Sequence, residues 1–454
     1  MPYATTNPAT GRVEQTFPDH TPEEVEERLT RAATAFRDYR RTSFGERARL
    51  MSSAADLLEG ELPDVAHVLT TEMGKTYASA KGEAAKSAMA MRWFAEHAEA
   101  LLADEEIATQ ARRSLVRYQP LGPVLAVMPW NFPLWQVVRF AAPALMAGNV
   151  GLLKHASNVP QTALYLEDLF RRAGFPTGAF TTLLVESGRV AEVIADDRVV
   201  AVSLTGSEGA GQSVASAAGR ALKKCVLELG GSDPFLVLAS ADLESAAVTA
   251  ARARCQNNGQ SCIAAKRFVV VDPVYDQFVE RFTEAMAAQV VGDPFDPATD
   301  VGPLVSLSQR QEVAAQVDDA RAKGAEVRCG GTVPDGPGWY YPPTVLCGVS
   351  PGMRAYEEEV FGPVAVVERA RDLDHALELA NRTSFGLGSS VWTTDEDEQR
   401  RAIDELEAGQ VFVNAMVVSA QELPFGGIKR SGYGRELSAL GIKEFCNAKS
   451  VWIA

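Results

Sequence analysis

Apolar and polar positions along the chain divide it into two rhythms. Thr21 offers an N-cap hydroxyl, Pro22 a first helical position and Glu23 and Glu24 an acidic first turn, after which Val25, Leu29, Ala32 and Phe36 recur at helical spacing. Further helical patterns run around 47–59 and from about 77 to 102, so the first hundred residues are predicted to be helical. The polar stretch 103–118 predicts a protruding hairpin. From Val124 the rhythm changes to short apolar runs: VLAVM (124–128), VGLLK (150–154), TTLLV (181–185) and VVAVSL (199–204). Helical patterns lie between them near 134–146, 161–173 and 187–195. This alternation predicts an α/β fold with a parallel, doubly wound sheet of Rossmann type. A second α/β series begins at PFLVL (234–238), passes through KRFVVVD (266–272) and runs to about residue 430, and 450–454 reads as an edge strand. With no internal repeat and no low-complexity linker, two intimately joined α/β lobes are expected.

Composition narrows the class. At roughly 150 residues per domain, 454 residues hold about three domains or two large ones. Hydrophobic residues at 46% and charged residues at 23% exclude a disordered or fibrous chain. A net charge of -15 without a Lys/Arg-rich run gives no support to a nucleic-acid partner. The uncharged stretch 118–138 carries Pro120, Pro123, Pro129 and Pro133, so it cannot be a membrane helix. The N-terminal residues have neither a basic region nor an apolar core, and the six cysteines lack paired metal-type spacing. A cytoplasmic protein with reduced thiols and no metal site is expected.

Candidate chemistry sits in a few places. TGSEGAG (205–211) directly follows a strand and precedes a helical pattern, where glycines let backbone amides approach a pyrophosphate, although most such turns are purely structural. Cys262 lies in QNNGQSCIAAK among small and amide residues. An isolated cysteine is ordinarily a packed core thiol, the reading that Cys225, Cys255, Cys329, Cys347 and Cys446 receive. Cysteine catalysis wants a base, and His20, His67, His97 and His375 fall in exposed contexts, whereas His155, after a strand end, stays open. Glu228 closes an apolar run ahead of two glycines, a setting that raises a carboxyl pKa and suits a general base, or equally an ion-paired glutamate.

Seven segments occur in a fixed order: PWNFP (129–133), LLKHAS (152–157), TGSEGAG, ELGG (228–231), NNGQSC (257–262), EEVFGP (358–363) and PFGGIKRSGYGRE (424–436). Over nearly the whole chain they resemble the NAD(P)-dependent aldehyde dehydrogenase superfamily, and KHASNVPQ (154–161) is most similar to its succinate-semialdehyde dehydrogenase branch. The resemblance implies a Rossmann-type cofactor domain from 1–102 and 121–230 and a second α/β catalytic domain from 231–430. It also implies a small oligomerisation element from 103–120 and 431–454, in a homodimer or homotetramer. It makes Cys262 the nucleophile, Asn131 the oxyanion-holding amide and Glu228 the base, with cofactor contacts from Trp130, Lys154, Ser157, Gly206, Ser207, Glu359 and Phe361. The implied chemistry runs through a cysteine thiohemiacetal and thioester, which water then hydrolyses to a carboxylate.

Three positions carry specificity. Members preferring NAD often hold a glutamate where this chain has Ser157, and that carboxylate would repel a 2'-phosphate, so NADP is expected to be preferred with NAD still accepted. Ser157 also reads as a helix N-cap. Aligned on the PWN and PFGG motifs, Arg139 and Ser419 fall where members acting on apolar aldehydes often carry aromatics. Trp135 shares the Arg139 helix face, and Phe132 and Phe425 would line the channel. An arginine gripping a distal carboxylate suits succinic semialdehyde, oxidised to succinate. Glutaric semialdehyde, a general aliphatic aldehyde, acyl transfer to coenzyme A and a non-catalytic binding protein are the alternatives; Glu228 argues against acyl transfer, because only hydrolysis needs a base. Ala264 stands where some relatives carry a second cysteine able to form a redox disulfide.

Overall fold

Capping chemistry fixes where the N-terminal helices begin. In a computed structural model describing residues 3–454, Thr21 and Glu24 form a reciprocal capping box ahead of the helix Pro22–Tyr39, and Ser43 and Glu46 do the same for Phe44–Gly60. Val25, Leu29 and Ala32 are buried as their spacing predicts. Two more helices, Leu62–Met73 and Tyr77–Leu101, complete this region. The first of these was hidden by a start lacking any side-chain cap. The opening residues depart from the helical expectation and form an antiparallel hairpin of Tyr3–Asn7 and Arg12–Phe17. Its second strand is exposed along nearly its whole length, so no alternation marks it; the turn itself is signalled by Asn7, whose side chain accepts from the Ala9 amide, and by Gly11 with φ 71°.

A six-stranded sheet follows the predicted doubly wound plan. From one edge its order is Gly432–Tyr433, Lys224–Glu228, Ala201–Thr205, Pro123–Met128, Val150–His155 and Phe180–Thr182. All pairs are parallel except the edge pair of Gly432–Tyr433 with Lys224–Glu228. The chain winds outward from Pro123–Met128 in one direction, then returns to lay Ala201–Thr205 on its other side. That reversal makes a topological switch point, outside whose carboxyl ends α/β sheets bind ligands. The helix Trp135–Met146 is buried throughout, and the pattern near 187–195 resolves into a short 3-10 turn followed by Val190–Ala195.

The second series forms a seven-stranded sheet in the order Glu326–Cys329, Thr344–Cys347, Val364–Ala370, Arg267–Val271, Pro234–Val237, Ser389–Trp392, Val411–Val413. Only its first pair is antiparallel. The residues just ahead of its inner strands, Asp233, Lys266, Pro363 and Gly388, therefore gather at one end of the sheet. A third sheet joins Cys446–Ile453 to Arg113–Pro120 and Glu105–Glu106, giving the expected hairpin and an edge strand that starts earlier than 450. The tail is not of one piece: Gly432–Tyr433 belongs to the six-stranded sheet, so 431–454 divides between two sheets rather than serving one element. Among the described residues no helix is long and apolar enough to cross a membrane.

Candidate active site

The loop that carries Cys262 is shaped by its own asparagines. Asn257 and Asn258 adopt left-handed backbone (φ 54° and 58°), a conformation asparagine tolerates better than most residues. Their side chains then tie the loop to its surroundings. Asn257 donates from Nδ2 to the Asn131 carbonyl at 2.8 Å, and Asn258 donates to the carbonyls of Gly74 and Pro303 at 2.8 and 2.9 Å. Gly259 is equally dictated, since a Cβ there would overlap the Gly362–Pro363 backbone, which places EEVFGP against NNGQSC. Lys266 completes the cage. Its buried ammonium donates to the carbonyls of Ser261, Cys262 and Ala264 at 3.2, 2.8 and 3.1 Å and pairs with Glu359 at 3.3 Å.

Cys262 lies where two cavities meet. One, of about 700 Å³, is lined by Trp130, Asn131, Thr205, Gly206, Ser207, Gly230, Gln309, Glu359 and Phe361, and it opens at the topological switch point. The other, of about 1000 Å³, is lined by Lys86, Phe132, Trp135, Arg139, Arg252, Ser419 and Phe425. Cys262 and Gln136 face both. Burial pushes the Cys262 thiol up to about 12, against the pull of the Arg139 and Lys266 charges. The Asn131 amide sits beside it and donates one hydrogen to the Gln260 carbonyl at 3.2 Å, leaving the second N–H of the same amide to face a ligand.

Glu228 and Arg139 lie together, with Glu436 beside them. The Glu228 carboxyl is buried, accepts no hydrogen bond and lines neither cavity. Burial drives its pKa well above the carboxylate range; Arg139 and Arg435 oppose that shift and Glu436 adds to it. Gly426 backs it so closely that a Cβ there would stand 2.6 Å from Glu228 Oε1. Arg139 lines the substrate-side cavity as expected, and part of its guanidinium is already engaged there. Its Nε is ion-paired with buried Glu436, its Nη2 donates to Thr205 Oγ1 at 3.3 Å, and its guanidinium stacks on Phe425 at 4.3 Å. Sequence reasoning saw the arginine and missed Glu436, which lies 297 positions later in the chain's last motif.

The remaining expected residues sort by place. Ser207 is the N-cap of the helix Glu208–Arg220, as the strand–turn–helix pattern of TGSEGAG predicts. Trp130 packs edge-on against Phe361 at 5.7 Å, and Gln309, which sequence reasoning missed, holds the Phe361 carbonyl at 3.0 Å. Lys154 is the penultimate residue of the buried strand Val150–His155, and burial lowers its pKa, Asp19 offsetting this only in part. Ser157 is not the N-cap it was read as. Val159 holds that place in front of Pro160–Arg172, and the Glu72 carboxylate accepts from the first amides, Gln161 and Thr162, at 2.8 and 3.1 Å. The Ser157 hydroxyl thus keeps its hydrogen-bonding capacity for a ligand. His155 also resolves: Nδ1 accepts from the Ala156 amide at 2.9 Å and Nε2–H donates to the Pro133 carbonyl at 2.8 Å. Burial lowers it to about 4, so it is a neutral brace for the PWNFP loop rather than a base.

The sequence profile of the aldehyde dehydrogenase family matches residues 1–451. The chain belongs to the aldehyde dehydrogenase family. Over the full length of both chains it is 62% identical to succinate-semialdehyde dehydrogenase [NADP(+)] 1 of Mycobacterium tuberculosis. It is 61% identical to the succinate-semialdehyde dehydrogenase [NADP(+)] of Mycobacterium avium, covering all of this chain and 97% of that one. Among solved structures, Gox0499, described for its cofactor and substrate selection, superposes with a TM-score of 0.99 at 42% identity over all of both chains. The succinic semialdehyde dehydrogenase of Streptococcus pyogenes in complex with NADP+ superposes with a TM-score of 0.97 at 37% identity over 99% of each chain. As an aldehyde dehydrogenase, the protein has its seven ordered motifs drawn to one seam, where the carboxyl ends of the six-stranded sheet meet the amino ends of the seven-stranded one.

Proposed function

We propose that the protein oxidises succinic semialdehyde to succinate with NADP as hydride acceptor. The observation that carries this reading is the position of Cys262, shared by a cleft at the switch point and a cleft lined with basic residues. The full-length likeness to enzymes named for that substrate and cofactor supports it. The deprotonated Cys262 sulfur attacks the aldehyde carbon. Asn131 donates its free N–H to the developing oxyanion, a contact worth about 2.7–4 kcal/mol in comparable sites. NADP, when bound, would supply the hydride acceptor, and loss of hydride from the carbon held by Cys262 would leave a thioester there. Glu228 then takes a proton from water, whose oxygen attacks the thioester, and succinate departs as the Cys262 sulfur is released.

The residues fit that cofactor. Lys154 is a largely buried ammonium with no carboxylate at ion-pair distance among the described residues, and Ser157 offers a free hydroxyl three positions on. A 2'-phosphate would satisfy both. Trp130, Gly206, Ser207, Glu359 and Phe361 line the space for the rest of the dinucleotide. We also infer that 1–102 with 121–230 binds the cofactor, that 231–430 supplies the nucleophile, and that the edge strand Cys446–Ile453 is covered by a second copy in a homodimer or homotetramer. Six free thiols suit a reducing cytoplasm.

Reduced-cofactor absorbance across succinic semialdehyde and butanal, each with NADP or NAD, tests the reading. Strong preference for the acid aldehyde with NADP is expected. Ser157→Glu should invert the cofactor preference by about 100-fold or more, through repulsion of the 2'-phosphate beside Lys154. Equal use of both aldehydes, or unchanged NADP preference in that variant, would refute the corresponding half.

A further inference from the structure

We propose that a cleft between the helix Phe44–Gly60 and the strand Arg113–Pro120 binds a phosphate group through the guanidinium of Arg47. The cleft shares no residue with the two cavities that meet at Cys262, so this site is independent of the proposed reaction. The inference follows from an accounting of buried cations. Lys75, Arg139, Lys266 and Arg267 each pair with a carboxylate, and Arg254 donates to the Gly259 carbonyl at 2.6 Å. Two buried cations are left without an acceptor among the described residues: Lys154, which we assign to the cofactor's 2'-phosphate, and Arg47. Arg47 is only 4% exposed, and its buried Nε has no hydrogen-bond partner. A guanidinium withdrawn from water without an acceptor is costly, and an anion beside it removes that cost.

Arg47 is also held in place. Its guanidinium lies over the Phe44 ring at 4.5 Å and against Gly148, where a Cβ would stand 2.6 Å from Nη1. Gly148 takes left-handed backbone (φ 95°) in the turn ahead of Val150–His155, so that side stays bare for the arginine. Arg47 lines the cleft together with Arg40, Thr42, Ser43 and Gln119. Arg40 is exposed and has no carboxylate at ion-pair distance among the described residues, whereas Arg117 is held by Asp104 at 2.6 and 2.9 Å. The Glu46 carboxylate accepts from the Ser43 amide and hydroxyl at 2.7 and 2.9 Å and does not line the cleft.

Two guanidinium groups without countercharge match the double charge and several acceptor oxygens of a phosphate better than the single charge of a carboxylate. The Phe44 and Gly45 amides that open the adjoining helix add donors of the kind phosphates favour. Burial pulls the Arg47 pKa down against the opposing influence of Tyr39, Cys446 and Glu46, so the charge gains from a partner.

The test is equilibrium dialysis of the full-length enzyme against radiolabelled inorganic phosphate, with NADP saturating so that Lys154 and Ser157 are occupied, and with chloride holding the ionic strength constant. Saturable binding of one phosphate per chain is expected. Arg47→Met should weaken it by about 10- to 100-fold, and Arg40→Gln, at an exposed position, by about three- to fivefold. In the wild type, phosphate should slow hydrogen exchange of the Phe44 and Gly45 amides, a readout that decides even if Arg47→Met does not fold. Competition with glycerol 3-phosphate separates two sources of the group: displacement stronger than by inorganic phosphate means a phosphate ester, and weaker displacement means the free ion. No saturable binding up to about 20 mM phosphate would overturn the proposal. So would binding that survives in a folded Arg47→Met, or protection from exchange confined to other segments. An Arg47→Met chain that falls apart into monomers, beside a wild type that binds no phosphate, would assign the guanidinium to a carboxylate of a second copy instead.

Discussion

Replacing Cys262 by alanine is expected to lower turnover of every aldehyde by at least about 10⁴-fold while leaving the fold and cofactor binding intact, because no other group at the cavity junction can form the covalent intermediate. Cys262 is the one thiol that lines both cavities, and the five remaining cysteines are free and line neither. The loop beneath it is held by Asn257, Asn258 and Lys266 through backbone carbonyls and side-chain amides, none of which touches the sulfur, so truncation there disturbs little. Steady-state assays, circular dichroism and a cofactor fluorescence titration would check this. Residual activity above one part in a hundred would mean that a different group attacks the aldehyde. The same burial that lifts the thiol to about 12 makes its alkylation by iodoacetamide, in the enzyme without ligands, climb with pH across the whole alkaline range.

The second large effect separates the two halves of the reaction. Glu228→Gln should leave acylation nearly intact and slow hydrolysis of the thioester by about 10²- to 10⁴-fold. Rapid mixing would then show a burst of one reduced cofactor per site followed by a stall, and mass spectrometry would find a succinyl group on Cys262. Two observations support this order. Glu228 lines neither cavity, so it has to swing away from Gly426 towards Cys262 before it can act. Its pKa stands well above the carboxylate range, so a rising pH favours the base form that hydrolysis needs. A burst amplitude that falls in step with the steady-state rate would place Glu228 before the thioester instead.

Reading the sequence against the structure shows where local pattern suffices. Buried parallel strands such as Val150–His155 are continuous apolar runs, and capping boxes announce Pro22–Tyr39, so both were legible. The hairpin at 3–17 was not, because an exposed strand leaves no alternation. Within the site, the strand–turn–helix pattern of TGSEGAG was readable, and the motifs that carry Cys262 and Asn131 meet at one cavity. Residues defined by a distant partner were not. The ion pair of Arg139 with Glu436 was hidden because Glu436 is far away in sequence, and Ser157 looked like a cap because Glu72, which satisfies the amides of Gln161 and Thr162, belongs to another helix. Lys86 sits in an ordinary helical stretch, and nothing in its neighbours in sequence announces the Ser419 that it meets 333 positions away.

The seam between the two large sheets has a consequence for how this enzyme would fail. Asn131 belongs to one side and Gln260 to the other, and the hydrogen bond between them spans the joint. Gly259 against Gly362 and Lys266 against Glu359 stiffen the side that holds the nucleophile. A slight parting of the lobes would therefore separate the sulfur from the oxyanion donor and base, and would lift Ile263, Leu387 and Val417 from the core that they share with the six-stranded sheet. Inactivation under mild denaturant would come ahead of the loss of helical signal, and on dilution it would be reversible. Catalytic competence is then the most sensitive gauge of whether the two halves of the molecule are seated on one another.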